Sequence, residues 1–384
     1  MHRQSVYLLL FAVAALLVIG SVMLFSTSTF ALEHRNDPNY FIKHQFVWLG
    51  VAGFGCLFAA NVDYHFWQKM AWPLYGASLV LLLLCFVPGI GQRINGSSRW
   101  VDMRVTSLQP SELAKLALVC TVAWWFARGE TEPRSFFKGF IAPLAIAGGL
   151  MALVAPEVDM GTTALLGATA FGVMFIAGTR LTFIAPIFAG GIAAMMYVAT
   201  HIGERHARLL AFLDLEKYKE GAGLQQWQAL IAFGSGGVEG LGLGNGRQKF
   251  AYLPYAHTDF IYPMIGEELG LRCTLLVVLC FIIIVFCGAI IALRARDRFG
   301  VLLGFGIVLL LALQAVVNMG VTTALLPNKG LPLPFISYGG SNLCFCLLGI
   351  GILINIYRRG LSEKECQRSS VKLSVNIRKR LVRL

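Results

Sequence analysis

Residues 274–293 read "TLLVVLCFIIIVFCGAIIAL", twenty consecutive residues without a charged side chain. About 20 apolar residues in a helix cross the ~30 Å hydrocarbon core of a bilayer. Similar stretches recur along the chain, which is 57% hydrophobic and only 14% charged, with a mean hydropathy of +0.69. Ordinary soluble domains carry about 25% charged residues. The sequence therefore predicts an all-α, polytopic membrane protein.

Ten membrane-spanning helices are predicted from the apolar pattern. They cover residues 5–28, 45–61, 72–90, 110–127, 138–156, 159–178, 182–202, 260–293, 301–326 and 336–357. The first is longer than the roughly 7–15-residue apolar core of a signal peptide, which favours an uncleaved span. We therefore expect a membrane domain over residues 1–357, with a large extracytoplasmic loop at 203–259 between spans seven and eight, and a basic tail at 358–384.

The basic tail predicts the orientation. Residues 358–384 contain nine Lys and Arg, and such segments stay in the cytoplasm. An even number of spans then places both termini in the cytoplasm. There the tail serves as a topology anchor, is a disordered basic segment, or lies on anionic lipid as an amphipathic stretch. The predicted outer loops are nevertheless rich in cations, which suggests an anionic ligand there: Arg93, Arg99, Arg104, Arg205, Arg208, Lys217, Lys219, Arg247, Lys249 and Lys329.

Polar clusters stand at the beginning of predicted spans four and six. In "QPSELAK" (109–115), Gln109 precedes a helix start at Pro110, and Glu112 and Lys115 are spaced to pair on one helix face. Ionisable groups inside a membrane are usually functional, although a structural ion pair between spans is the alternative. In "PEVDMGTT" (156–163), Asp159 is placed either to cap a helix or to bind a ligand.

Two loops have compositions that favour irregular backbone. The glycine-rich stretch 234–250 lacks the strand-to-helix setting of a dinucleotide loop, and predicts a flexible outer lid or a close backbone approach to a ligand. The stretch "LPNKGLPLPFISYGGS" (326–341) contains three prolines and predicts an irregular re-entry into the membrane. Lys329, Ser337 and Ser341 are expected to face a wet cavity there.

Three carboxylates lie close together in "LPYAHTDFIYPMIGEELGL" (253–271). Asp259 begins span eight, as a helix cap or as a reactive group. Glu267 lies on the same face about 12 Å deeper, where an interhelical hydrogen bond is the alternative to a functional role. Glu268 is spaced to pair with Arg272. A single carboxylate beside cations suits transfer from a diphosphate donor, because the acceptor hydroxyl needs a base and the leaving group needs neutralisation.

These motifs together resemble those of the SEDS (shape, elongation, division, sporulation) family over residues 5–357. "GNGRQK" and "PNKGLPLPF" are more similar to its division members than to its elongation members. The resemblance implies a ten-span peptidoglycan glycosyltransferase that polymerises lipid II at the outer face of the bacterial cytoplasmic membrane, at the division septum. It implies a class B penicillin-binding transpeptidase and other division proteins as partners, and no nucleic acid.

The resemblance also assigns residues. Asp259 in "HTDF" would be the catalytic base. Substrate-binding residues would be Arg93, Arg99, Gln109, Glu112, Lys115, Asp159, His257, Thr258, Glu267, Lys329, Ser337 and Ser341. A divalent cation, Mg²⁺ or Mn²⁺, would be the only cofactor. The sequence departs from the usual family pattern at Tyr255, where glutamate is usual, and at Val158, where proline is usual.

Two other functions remain open from the sequence. A lipid II flippase would place its charges near the bilayer midplane at the interface of an internal repeat, whereas here they gather at one face and no repeat is visible. A non-enzymatic division scaffold that recruits a transpeptidase would have no need of Asp259.

Overall fold

The computed structural model describes residues 2–28, 40–94, 97–102, 107–157, 159–201, 203–249 and 256–381. Twelve α-helices lie within these ranges. They are α1 His2–Ser28, α2 Tyr40–Asn61, α3 His65–Leu84, α4 Pro110–Ala127, α5 Ala142–Val154, α6 Met160–Ala177, α7 Leu181–His201, α8 Gly203–Leu213, α9 Leu224–Gly236, α10 Ile261–Ala292, α11 Arg298–Thr322 and α12 Gly340–Leu381. A π-helical turn, Phe137–Ile141, leads directly into α5.

Eight helical segments in the described part of the chain are long and apolar enough to cross a membrane. They comprise α1, α2, α5 with its flanking turns, α6, α7, α10, α11 and the first half of α12. Helices α3 and α4 occupy the positions of predicted spans three and four. Helix α4 carries Glu112 and Lys115 in its first turns, yet most of its side chains are buried. The prediction of an all-helical polytopic membrane protein is confirmed.

Some predicted boundaries are wrong. Helix α3 starts at His65 rather than 72, because His65, Gln68 and Lys69 lower the hydropathy of its first two turns. Helix α11 ends at Thr322 rather than 326. Helix α12 begins at Gly340 rather than 336 and continues without interruption to Leu381, so the basic tail prolongs the last helix.

The two long predicted loops contain secondary structure that was not predicted. Strands β1 Gly91–Ile94, β2 Ser97–Asp102 and β3 Ser107–Leu108 form an antiparallel sheet in that order, with Val101 opposite both Gly91 and Leu108. Helices α8 and α9 lie within the predicted 203–259 loop. These short elements follow α3 and α7 and precede α4 and α10, and they therefore cover one end of the bundle.

Small residues allow close packing between the long helices. The most extensive pairings are α2 with α12, α1 with α10, α3 with α4, and α10 with α11. A Cβ atom on Gly351 of α12 would lie 2.3 Å from the carbonyl oxygen of Cys56 in α2, so only glycine permits this approach. Likewise, a Cβ on Gly236 of α9 would lie 2.0 Å from the Gly266 oxygen of α10. Helix α9 is thereby fixed directly against the first turns of α10.

Candidate active site

Asp259 lies just before α10, in the turn that leads into the helix. The N-cap residue of α10 is Phe260, and none of the side chains that the structure describes caps this helix end. The alternative prediction, that Asp259 is a helix cap, is therefore wrong. The carboxylate is only partly exposed, and among the described residues it has no hydrogen-bond or ion-pair partner. It is available to a ligand.

The backbone that carries Asp259 is held at three successive carbonyl oxygens. The donors are the Tyr338 N–H to His257 O (3.0 Å), the Ser337 hydroxyl to Thr258 O (2.7 Å) and the Asn318 side-chain amide to Asp259 O (2.8 Å). Two of these donors come from the 326–341 segment and the third from α11. Three separate tethers fix the position of this short non-helical segment.

The 326–341 segment forms the irregular re-entry that its prolines predicted. It runs between the end of α11 and the start of α12, and Phe335 adopts a positive φ of 67° within it. Gly330 lies against Asp259, since a Cβ at this position would be 2.5 Å from Asp259 Oδ2. The absence of a side chain at Gly330 therefore leaves room for the carboxylate.

Ser337 and Ser341 do not face a cavity as predicted. Both are nearly fully buried, and both bind backbone. The Ser337 hydroxyl accepts from the Leu333 N–H (2.8 Å) in addition to its bond with Thr258 O. Ser341 Oγ accepts from the Gln109 N–H at the start of α4 (3.2 Å). These hydroxyls shape the re-entry because its backbone donors and acceptors have no regular helix or sheet partners.

Asp159 caps α6, as one of the two predictions for it stated. Its carboxylate accepts from the Thr162 N–H (3.0 Å) and the Thr162 hydroxyl (2.8 Å). Arg99 Nη1 lies 3.9 Å from Asp159 Oδ2.

Burial raises the pKa of Asp259 to about 6; the Asp159 carboxylate adds to the increase, and the Arg99 guanidinium opposes it. Asp259, Asp159 and Arg99 therefore share one electrostatic environment.

A cavity of about 180 Å³ lies between α6, α7, α8 and the re-entry. Its lining includes Met160, which follows Asp159, and Lys329, which precedes the Gly330 that lies against Asp259. Three cationic residues line it, Arg205, Arg208 and Lys329. The rest of its wall is largely apolar and includes Met160, Ile192, Met195, Met196 and Leu209. Burial lowers the pKa of Lys329 to about 8, and Arg208 and Arg205 contribute to the decrease. The predicted location of Lys329 in a cavity is confirmed.

Glu112 and Lys115 form the predicted ion pair, with 2.7 Å between Lys115 Nζ and Glu112 Oε2. Both side chains are almost fully enclosed in the bundle. Lys115 also donates to Gln314 Oε1 on α11 (2.8 Å), and the Gln314 amide donates to Pro332 O in the re-entry (2.8 Å). The pair is therefore connected to the re-entry through Gln314, and the cavity that it lines measures only about 20 Å³.

The predicted roles of Glu267 and Glu268 need correction. Glu267 is fully buried and accepts from the Arg247 N–H (2.8 Å), so its hydrogen-bond partner is the backbone of the glycine-rich segment and not a neighbouring helix. Glu268 does not pair with Arg272, but with Lys249 (2.8 Å). Together the two carboxylates anchor the 236–249 segment, which argues against the predicted flexible lid.

His257 is buried beside aromatic rings. Its ring centroid lies 4.4 Å from that of Phe41 and 6.1 Å from that of Tyr338. Burial lowers the pKa of His257 to about 4, so this side chain is neutral at physiological pH and adds no positive charge to the site. Its backbone carbonyl is one of the three tether points of the Asp259 segment.

Several predictions lie outside the described part of the chain. They concern the side chains of Arg93 and Arg104, and the departures at Val158 and Tyr255. The described residues contain no group of three or more His, Cys, Asp or Glu that could hold a metal ion. They thus provide no ready-made cage for Mg²⁺ or Mn²⁺, which commonly take only one or two protein carboxylates together with substrate phosphates. The divalent cation stays a prediction.

Two buried amides at the site were missed by sequence reasoning, Gln314 and Asn318. They lie four residues apart in α11, on one helix face, and both bind backbone carbonyls of the re-entry. Polar side chains at this spacing inside an otherwise apolar span were the available signal. Their partners are not visible from the sequence, because the contacts depend on the path of an irregular segment.

Comparison with known proteins places this architecture in a family. A family model described as "Cell cycle protein", which covers FtsW, RodA and SpoVE, matches residues 7–360. The chain is 42% identical to a probable peptidoglycan glycosyltransferase FtsW of Trichlorobacter lovleyi, over 91% of this chain and 92% of that protein. It is 34% identical to the stage V sporulation protein E of Bacillus subtilis, over 91% of this chain and 96% of that protein.

Solved structures show the same fold. The rod shape determining protein RodA of Thermus thermophilus superimposes with a TM-score of 0.67 at 27% identity, covering 91% of this chain and 95% of that one. A chain from a peptidoglycan synthase complex that coordinates polymerization and crosslinking gives a TM-score of 0.76 at 26% identity, covering 92% and 97%. The chain therefore belongs to the SEDS family of FtsW, RodA and SpoVE.

Proposed function

We propose that this chain is a peptidoglycan glycosyltransferase that polymerises lipid II at the outer face of the bacterial cytoplasmic membrane, with Asp259 as its catalytic base. The observation that carries the proposal is the Asp259 carboxylate, which has no partner among the described residues and belongs to a segment whose backbone is held by three hydrogen bonds. The charges of Asp159 and Arg99 act both on Asp259 and on Lys329 of the cationic cavity. The relatives named FtsW support the same activity.

The chemistry follows from the two parts of the site. Asp259 takes the proton from the 4-hydroxyl of the acceptor's terminal GlcNAc, and the oxygen forms a bond to C1 of the donor's MurNAc. The bond between C1 and the phosphate oxygen breaks, and undecaprenyl diphosphate leaves with the bonding electrons. Attack from the face opposite the leaving group inverts the configuration at C1. Cations stabilise the charge that develops on the diphosphate.

The cationic cavity has the composition that a lipid diphosphate requires. Arg205, Arg208 and Lys329 provide positive charge on one side, and apolar side chains of α7 line the other. Only 6% of the apolar stretch Leu181–Val198 of α7 is buried, so this helix stands largely apart from the bundle. We assign the diphosphate of the donor to this cavity. Lys115, which is enclosed and paired with Glu112, acts through the protein rather than on the phosphate.

The pKa of Asp259 predicts a pH profile. A base acts in its deprotonated form, so polymerisation should fall as the pH drops through about 6, the pKa of this group. The ascending limb of the rate should have its midpoint near this value, well above the ordinary range of an aspartate. Rates from purified protein and lipid II between pH 5 and 8 would measure it. A flat rate down to pH 5 would show that Asp259 does not titrate in the rate-limiting step.

Partners and location follow from the same proposal. One structural relative is a chain of a peptidoglycan synthase complex that coordinates polymerization and crosslinking. We propose that this chain likewise works with a class B penicillin-binding transpeptidase and other division proteins, at the division septum. The name FtsW of its relatives in Trichlorobacter lovleyi and Geobacter metallireducens favours division over elongation.

The orientation gives a topological prediction. The basic C-terminal extension should lie in the cytoplasm and the α8–α9 region outside. With Cys366 replaced by serine, a membrane-impermeant thiol reagent added to intact cells should label Glu220→Cys and not Ser370→Cys. Both variants should be labelled after the cells are permeabilised. Labelling of Ser370→Cys in intact cells would reverse the orientation and place Asp259 on the wrong side for lipid II polymerisation.

A single proteoliposome preparation can distinguish a polymerase from a flippase. Proteoliposomes that contain this chain and fluorescent lipid II should form glycan strands when the candidate transpeptidase is present. Movement of lipid II between leaflets, without any strands, would instead identify a flippase. Absence of both activities, together with tight binding of the transpeptidase, would identify a scaffold.

A further inference from the structure

The Asn318 side chain makes two buried hydrogen bonds that have no role in the reaction steps described above. The residue is 1% exposed, and its amide nitrogen donates two hydrogen bonds, to Asp259 O (2.8 Å) and to Leu331 O (2.6 Å). Leu331 follows Gly330, the residue that lies against the Asp259 carboxylate. One amide therefore binds both the residue that carries the base and the segment that forms the wall beside it.

Gln314 extends this arrangement one helical turn earlier in α11. Its amide nitrogen donates to Pro332 O (2.8 Å) and to Asn342 Oδ1 on α12 (2.8 Å), while its oxygen accepts from Lys115. Consecutive carbonyls of the re-entry, at Leu331 and Pro332, are thus bound by amides four residues apart on one helix. One face of helix α11 therefore binds the backbone of the re-entry at two consecutive residues.

The two polar atoms of the Asn318 side chain differ in their hydrogen bonding. Its side-chain oxygen is buried and, among the described residues, has no hydrogen-bond partner. A buried acceptor without a partner costs free energy. Among the described residues, the two hydrogen bonds from its nitrogen are therefore the polar contacts that the Asn318 side chain contributes.

We propose that Asn318 is a positioning residue, whose amide sets the distance between the Asp259 carboxylate and the re-entry at Gly330. The inference rests on the proposed role of Asp259 as the base. A base must lie within hydrogen-bond reach of the acceptor hydroxyl, and a displacement of about 1 Å in a positioned site can cost ~100-fold in rate. Without the amide, Asp259 O and Leu331 O lose their common donor and the two segments are free to separate.

Gln226 offers a matched control. It is equally buried, and its amide nitrogen also donates to two backbone carbonyls, Val321 O and Leu326 O, both at 2.8 Å. These carbonyls lie at the end of α11 and at the first residue of the re-entry, and neither belongs to Asp259 or its neighbours. Gln226→Met and Asn318→Leu each remove one buried amide that donates to two backbone oxygens, and each keeps a side chain of similar size. They differ in whether Asp259 loses a tether.

The experiment compares Asn318→Leu, Gln226→Met and Asp259→Asn, each purified at full length and assayed with lipid II and the transpeptidase. For Asn318→Leu we expect kcat to fall by ~10-fold or more while KM changes by less than about threefold, the pattern of a misplaced catalytic group. Gln226→Met should lose a similar amount of thermal stability and keep kcat near wild type. If Asn318→Leu does not fold, Asn318→Ser undergoes the same comparison.

The possible outcomes separate the two proposals. A normal kcat for Asn318→Leu, with Asp259→Asn inactive, would overturn the positioning role and leave the catalytic base in place. Equal losses of kcat in Asn318→Leu and Gln226→Met would also overturn it, because both would then reflect general destabilisation. Full activity of Asp259→Asn would instead remove the base on which the inference depends.

Discussion

Replacing Lys249 by methionine should lower the free energy of unfolding by about 3–5 kcal/mol, because it leaves a buried carboxylate without its counterion. Lys249 and Glu268 are 1% and 0% exposed, with 2.8 Å between Nζ and Oε1. Lys249 also donates to Ser26 Oγ (3.0 Å) and to Gly244 O (2.6 Å). The lysine thus joins α1, the glycine-rich segment and α10, and no other described group replaces it.

Arg272→Met is the control for this prediction. Arg272 pairs with Glu239 at 3.1 Å, but the two side chains are 73% and 77% exposed. Exposed ion pairs contribute little to stability, because water screens the charges and the side chains lose conformational freedom. Denaturant or thermal unfolding in detergent should therefore separate the two variants clearly. Similar stabilities for Lys249→Met and Arg272→Met would mean that the buried pair is solvated.

A compensating variant distinguishes the lost charge from lost packing. If the unpaired carboxylate is the cause, adding Glu268→Gln to Lys249→Met should recover much of the stability, because it removes the uncompensated buried charge. The Ser26 hydroxyl and the Gly244 N–H can still bond with the new amide oxygen, as they do now with Glu268. No recovery in the double variant would point to packing around the lysine stem instead.

The wrong partner predicted for Glu268 shows where helical spacing ceases to apply. The spacing to Arg272 assumed an unbroken helix, but Gly270 has φ 76° and ψ −176°, which interrupts α10 between the two residues. The backbone of Glu268 and Glu267 bonds instead with the Gly242 and Leu241 N–H groups of the glycine-rich segment. The sequence does not predict the interruption at Gly270, because glycine also occurs inside regular membrane helices.

Predictions from local spacing were more successful. The Glu112–Lys115 pair and the Asp159 cap both depend on residues within one helical turn, and the structure contains both. The apolar runs likewise located the long helices, since hydrocarbon thickness dictates their length. The tethers of Asp259 could not be predicted, because their donors lie in α11 and in the re-entry, far away in the sequence. Such contacts depend on how the helices assemble.

The expected effect of Asp259→Asn on catalysis is the largest in the molecule. A general base contributes ~10²–10⁴-fold in rate, so polymerisation of lipid II should fall at least ~100-fold. Asn has nearly the same size and cannot accept the proton. Stability should be close to wild type, because Asp259 does not cap α10 and its carboxylate has no partner among the described residues. The tether from Asn318 binds the backbone oxygen and survives the substitution.

The direct test is the length of the glycan strands that wild-type and Asp259→Asn protein make from lipid II, each with the same transpeptidase. Thermal unfolding and binding of that partner are measured on the same samples, to show that both proteins are intact. The proposed mechanism predicts long strands from the wild type and unreacted lipid II from the variant, with equal stability and partner binding. Long strands from Asp259→Asn would contradict it, and the base would then have to be sought elsewhere.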